Sequence, residues 1–169
     1  MRIGVISDTH GALHEGVAGV FAGVDHILHA GDVGGDEIID ALEEIAPVTF
    51  VRGNNDDATG EDVLRLQLGD LRLLITHILP RPSAPDKRVV DSLRRKPADV
   101  IVFGHSHLPH NERVGGVIYF NPASAGPRRF DYPISVGVIE TGSSGVRAYH
   151  VALDDRSVAA LKKRMNQMR

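Results

Sequence analysis

Apolar positions along the chain gather into short runs that stop on polar residues or glycine, interrupted by segments with helical spacing. Residues 2 to 7 (RIGVIS) are such a run, and the Ser7-Asp8 that follows suits a buried strand opening into a loop. Val17, Val20 and Phe21 recur at helical spacing within residues 14 to 23, although Gly16, Gly19 and Gly23 weaken that helix. DHILHA (25–30) reads as a second strand and PVTFVR (47–52) as a third. Between them DEIIDALEEI (36–45) is amphipathic, with acidic residues in the first turn where the helix dipole favours them. The order β-α-β-α-β predicts a parallel sheet with helices packed on it.

The pattern then changes. VLRLQLGDLRLLITH (63–77) is two apolar strands meeting at Gly69-Asp70, a hairpin signal rather than a crossover. After the proline-rich LPRPSAPD (79–86) a basic helix is expected around Arg88 to Lys96, then a buried strand ADVIVF (98–103). A hairpin through Gly115-Gly116 follows, with a long irregular loop from Asn121 to Pro133. ISVGVIE and GVRAYHVAL form two more strands turning at Gly142 to Gly145, and a last helix from about Asp155 ends in Lys162, Lys163 and Arg164. No repeat or long linker divides the chain, so residues 1–169 are expected to form one α/β domain with two packed sheets flanked by helices.

Composition narrows what such a domain can do. With 19 basic and 22 acidic residues the net charge is -3, and only 5% of residues are aromatic, which disfavours a nucleic-acid partner. The basic stretches near Lys87 and Lys162 lie beside acidic residues and read as solvated helix faces. Cys 0 excludes thiol nucleophiles and every cysteine-based metal site, so a metal would be held by His, Asp, Glu or Asn. No apolar stretch approaches the roughly 18 residues of a membrane span, and the run at Ile3 to Ile6 is too short for a signal peptide. No membrane partner and a cytoplasmic location are therefore expected. The apolar run Val117 to Phe120 and the strand near Ile134 leave a homo-oligomer open, with core burial as the other explanation.

Seven candidate metal-ligand residues fall in five segments, each beginning where an expected strand runs out: Asp8 and His10, Asp32, Asn54, His77, and His105 with His107. In open α/β sheets, groups at the carboxyl ends of strands converge even when distant in sequence. In extended chain, residues two apart face the same side, so Asp8 with His10, and His105 with His107, read as chelating pairs. Gly31, Gly53 and Gly104 stand directly before ligand positions, where a missing side chain permits close backbone approach. Oxygen and imidazole donors without sulfur suit Mn, Fe, Co, Ni or Zn.

The ordered set Asp8-x-His10, Gly31-Asp32, Gly53-Asn54, His77 and Gly104-His105-x-His107, with Asn121-Pro122-Ala123-Ser124 beyond it, resembles the calcineurin-like metallophosphoesterase superfamily. The likeness is to its small, capless phosphodiesterase branch and runs from Met1 to about Arg129. It implies a four-layer α-β-β-α sandwich of two mixed sheets, with a dinuclear site at the strand carboxyl ends. It further implies one divalent ion on Asp8, His10, Asp32 and His107 and a second on Asp32, Asn54, His77 and His105, with Asp32 as the bridge. Asp32 and Asn54 are the implied catalytic positions, manganese is first among the ions (Ni, Fe, Co or Zn being the others), and a metal-bridging hydroxide would attack phosphorus in line. A small phosphodiester is the implied substrate. The alternatives are a phosphomonoesterase or nuclease of narrow substrate, and a protein-interaction scaffold resembling the retromer subunit of eukaryotic cells.

Three positions depart from the family pattern. Asn55 stands where many members have a histidine that protonates the leaving group, Ile78 follows His77 in place of glycine, and Ala123 replaces the glycine of NPGS. Arg52, Arg128 and Arg129 each read equally as a phosphate contact or a solvated surface arginine and stay outside the catalytic set. His14, His26, His29, His110 and His150 match no motif position and read as surface or core packing, His29 standing out only by its place two residues before Gly31.

Overall fold

The computed structural model describes residues 1–57, 60–79, 91, 97–143 and 145–167. The first run forms β1 (Arg2–Ile6), followed by α1 (Gly16–Phe21), β2 (His26–His29), α2 (Asp36–Glu43) and β3 (Val48–Phe50). β1, β2 and β3 pair in parallel, as the βαβαβ pattern predicts, and α1 is one short stretch because its glycines leave it little intrinsic stability. β4 (Val63–Leu68) and β5 (Leu71–Thr76) form the expected hairpin, with Gly69 at φ 56° in the two-residue turn. The basic helix expected around Arg88 to Lys96 lies, Asp91 apart, outside the described residues.

β6 (Val100–Val102), β7 (His110–Val114) and β8 (Val117–Asn121) follow, then β9 (Ser135–Gly142), β10 (Gly145–Ala152) and α3 (Asp155–Gln167). α3 runs past the basic cluster at Lys162 to Arg164 instead of ending there. One sheet has the order β10-β9-β1-β2-β3 and the other β4-β5-β6-β8-β7. Both are mixed, because β9 joins β1 antiparallel while β5, β6 and β8 run parallel inside a sheet whose outer pairs are antiparallel. The fold is thus α/β, two mixed sheets flanked by helices.

Alternation sorts the side chains into layers. Ile3 and Val5 of β1 face Leu73 and Ile75 of β5, Val100 and Val102 of β6 and Phe120 of β8 across the space between the sheets. Ile6 and Ile27 point the other way, against Val17 and Phe21 of α1 and Ile38 and Leu42 of α2. Each such fully buried aliphatic or aromatic side chain contributes about 1.5–3 kcal/mol. Ile118, Tyr119, Phe120 and Ile134 are buried and Val117 is partly buried, which accounts for the apolar run Val117 to Phe120 within the fold. No helix among the described residues is long and apolar enough to cross a membrane.

The packing brings the carboxyl ends of β1, β2, β3, β5 and β6 to one edge of the molecule. Backbone bonds stitch that edge together: Asp8 donates to the Gly31 carbonyl at 3.0 Å, Gly104 to His77 at 3.0 Å, and Ala125 to Ser7 at 3.1 Å.

Candidate metal centre

All seven ligand-type residues meet at this edge, but through a backbone different from the expected one. Asp8 (φ 56°), His10 (48°), Asp32 (53°), His105 (69°) and His107 (55°) are left-handed, a region non-glycine residues seldom occupy. The pairs Asp8/His10 and His105/His107 therefore do not face one point by extended alternation. Each residue is aimed inward by its own kink. Such conformations cost on the order of 1–3 kcal/mol each and persist only where the surroundings impose them.

The surroundings here are hydrogen-bonded loops and close backbone approaches. Ser124 Oγ donates to the Asp8 carbonyl at 2.8 Å, and Asn121 Nδ2 donates to the Gly104 carbonyl at 2.7 Å, so the Asn121–Ser124 loop ties two ligand segments together. Thr9 Oγ1 donates to the Val33 carbonyl at 2.9 Å and accepts from His29 Nε2 at 2.9 Å, while His29 Nδ1 accepts from Gly31 N at 3.2 Å. His29 is fully buried, and desolvation, as the largest effect, holds its pKa down to about 3, so the ring is neutral as those bonds require. A Cβ on Gly53 would lie 2.1 Å from Asp32 Oδ1, and one on Gly104 would lie 2.0 Å from Ser7 Oγ. These two glycines are close-approach positions, as their placement before ligands predicts.

The donor atoms form one continuous cluster. Asp8, His10 and His107 offer ligand atoms within 4.8 Å of one another, as do Asp8, Asp32 and His77. Asp32 Oδ2 lies 3.7 Å from His10 Nε2 and 3.4 Å from His77 Nε2, between the two groups. Asn54 Oδ1 is 3.1 Å from His77 Nε2 and 2.8 Å from His105 Nδ1. His77 Nδ1 donates to the Ala30 carbonyl at 2.7 Å, which turns Nε2 toward the cluster. Asp8 Oδ1 is buried with no hydrogen-bond partner, 3.3 Å from His107 Nε2, a costly state for a carboxylate unless a cation completes it.

Electrostatics agree with that reading. Burial pushes Asp8 up to about 6, with His77 and several hydrogen bonds opposing. Desolvation lowers His10 and His105 and takes His107 down to about 4, so these rings are neutral, with lone pairs available, at pH 7. For His77 burial opposes the proton, but the hydrogen bond to Asp32 and the charges of Asp8 and Asp32 outweigh it and raise its pKa. For Asp32 desolvation acts upward, but bonds from His77 and from the Asn55 backbone and side chain overcome it and hold the carboxyl well below the usual carboxylate range.

Asn55 is thus a holder of Asp32, donating from N at 2.9 Å and from Nδ2 at 2.6 Å, a role its sequence position alone did not reveal. Asp56 joins the loops by accepting from Gly34 N and Gly53 N. Of the three arginines, Arg52 pairs with Asp62 at 2.6 Å and Arg128 with Asp154 at 2.5 Å, whereas Arg129 reaches the cluster. The other histidines stay outside it: His14 accepts from Gly16 N, His26 bonds Thr49, His110 lies beside Glu112, and His150 donates to the Asn121 carbonyl. Of the two replaced glycines, Ala123 lies at φ 73° where glycine would be relaxed, while Ile78 is not left-handed.

A cluster of carboxylate, amide and imidazole donors at the carboxyl edge of two mixed sheets defines an α/β protein with a metal-binding type of site. The chain belongs to the calcineurin-like phosphoesterase superfamily, whose domain model matches residues 1–144. It is 33% identical over 132 residues to a probable metallophosphoesterase of Methanocaldococcus jannaschii, covering 73% of this chain and 68% of that one. It is 29% identical over 187 aligned residues to the phosphodiesterase YfcE of Escherichia coli, covering 95% and 96%. Among solved structures, wild-type Vps29 of Entamoeba histolytica, in complex with Zn²⁺, superposes with a TM-score of 0.68 at 21% identity over 91% of this chain and 100% of that one.

Proposed function

We propose that residues 1–169 act as one metallophosphoesterase domain that hydrolyses small phosphodiesters, using two divalent ions with manganese as first choice. Asp8, His10, Asp32 and His107 would hold one ion, and Asp32, Asn54, His77 and His105 the other, with Asp32 shared. The observation that carries this is the buried Asp8 Oδ1 without a partner, set in a cluster of seven convergent donors. Bound there, two ions supply Lewis acidity toward phosphate oxygens and lower the pKa of water to about 7. The chain's own residues do the rest. Ala30 fixes the His77 tautomer, Asn55 orients Asp32, and Asn54 presents Oδ1 between His77 and His105.

A cleft of about 420 Å³ opens beside Asn54 and His77, bounded by Arg52, Asp62 and Ile78. A neighbouring cleft of about 340 Å³ has Val33, Ile39, Phe50 and Asn55 in its lining, and its apolar part is suited to an apolar ester group. The relative named a phosphodiesterase supports the diester reading, and likeness to Vps29 supports only the fold. The intact donor cluster favours the enzyme over the protein-interaction scaffold.

Metal-stripped protein supplied with Mn²⁺ is expected to regain cleavage of a bis-aryl phosphodiester, and to act more slowly on the monoester. No turnover with any of several added divalent metals, in protein shown to bind two ions, would count against the reading. Asn55 carries no transferable proton, so general acid catalysis, typically worth about 10²–10⁴-fold, has no source at that position. Rates across a series of diesters should therefore fall steeply as the leaving-group pKa rises. Equal rates for aryl and alkyl esters with chemistry rate-limiting would dismiss this expectation.

A further inference from the structure

We infer that Arg129 is a substrate-binding residue that clamps a non-bridging oxygen of the phosphoryl group; the inference rests on the phosphoesterase reading above. Its guanidinium Nη2 lies 3.2 Å from His10 Nε2, on the side of the cluster formed by His10 and His107. The side chain is exposed, and no carboxylate pairs with it among the described residues. A permanent cation held against a cluster built for cations raises the cost of metal binding by like-charge repulsion. An ion bound to His10 would displace this direct contact, and a phosphoryl oxygen held by that ion would then be the nearest anionic partner for the displaced guanidinium. Guanidinium suits that contact because its planar donors bond phosphate oxygens with charge assistance.

The neighbouring arginine explains why Arg129 points there. Arg128 Nη2 bonds Asp154 at 2.5 Å and Ser157 Oγ at 3.1 Å, and its Nη1 donates to the Tyr132 carbonyl at 2.8 Å. Tyr132 N in turn donates to the Arg129 carbonyl at 3.2 Å, closing a turn whose next residue, Phe130, is left-handed at φ 53°. The turn is thus pinned to the start of α3, leaving the Arg129 side chain directed at the cluster. Arg128 is structural and Arg129 faces the substrate.

The test compares wild type, Arg129→Gln and Arg129→Lys, all loaded with Mn²⁺, by calorimetric binding of inorganic phosphate, by metal content, and by kcat and KM for a bis-aryl phosphodiester. Arg129→Gln should weaken phosphate binding and kcat/KM by about 10- to 100-fold, the loss expected for one charge-assisted hydrogen bond. Its metal content should be unchanged, and Arg129→Lys should recover only part of the loss because its shorter, point-charge ammonium lacks the fixed planar donors of guanidinium. Added guanidinium ion should partly restore phosphate binding to Arg129→Ala.

Wild-type phosphate affinity in Arg129→Gln, with diester hydrolysis intact, overturns the clamp alone. Loss of metal from Arg129→Gln in place of loss of phosphate affinity also overturns it, since the residue would then be positioning His10. A wild-type protein that binds two ions yet neither binds phosphate nor cleaves the diester overturns the clamp and the phosphoesterase reading together.

Discussion

Asp32→Ala should abolish phosphodiester hydrolysis, lowering kcat/KM by more than the roughly 10²–10³-fold that loss of one oxyanion-hole donor costs, because a shared metal ligand is lost. The reason lies in the position of Oδ2, 3.7 Å from His10 Nε2 on one side and 3.4 Å from His77 Nε2 on the other. A residue placed between two ligand groups serves both, so its removal should take bound Mn²⁺ from two equivalents to less than one. His10→Ala, by contrast, removes a ligand from one side only and should spare the ion nearer Asn54 and His77. Metal analysis after gel filtration, run beside the rate assay, separates the two outcomes. An Asp32→Ala protein that kept two tightly held ions and full activity would sink the assignment.

The second large effect concerns stability, and its sign is opposite to what loss of a buried ligand suggests. In metal-free protein Asp8→Asn should raise unfolding free energy by up to about 3 kcal/mol at neutral pH. Burial lifts the Asp8 carboxyl from 3.8 to about 6 in the folded state, so the native protein prefers the protonated form. A group whose folded pKa exceeds its unfolded value stabilises fully below the unfolded pKa and loses that contribution as pH rises through the folded one. The wild type thus forfeits stability between about pH 4 and pH 6, and asparagine, which does not ionise, avoids the loss. The amide introduced by Asp8→Asn would also keep an oxygen for the His105 N–H now bonded by Oδ2 at 3.1 Å, and would offer an N–H toward the unpartnered side facing His107. Urea denaturation of both proteins with chelator present should show the difference at pH 7.5 and its disappearance below about pH 4. Saturating Mn²⁺ should reverse the order. Equal stabilities at pH 7.5 without metal would show that the Asp8 charge is compensated in some other way.

How much of this was legible in the sequence depends on the length scale of the signal. The parallel first half, the Gly69-Asp70 hairpin and the five ligand segments were readable because apolar periodicity and strand-end glycines are local patterns. Gly53 and Gly104 proved to be close approaches for the reason their positions suggested. The backbone at the ligands was not readable. Nothing in Asp8-Thr9-His10 or His105-Ser106-His107 marks left-handed conformations, because those are imposed by partners such as Ser124 and Asn121 far along the chain. The same holds for Asn55, whose grip on Asp32 spans 23 positions, and for the divergent fates of Arg128 and Arg129, adjacent residues separated only by what Asp154 and Ser157 capture. His29 offered one usable hint, its place two residues before Gly31, and the structure makes it a hydrogen-bonded core residue supporting the first ligand loop.

The left-handed kinks carry an evolutionary corollary. Asp8→Asn is expected to move the metal-free fold downhill, and Ala123→Gly would relieve a left-handed alanine, whereas any replacement of Asp32 would forfeit the bonds that Asn55 gives its carboxylate. Thermodynamic selection on the fold alone would therefore erode Asp8 and retain Asp32. A descendant under pressure for stability alone would thus inherit a sturdier α/β body with one side of the donor cluster dismantled and the other still in place.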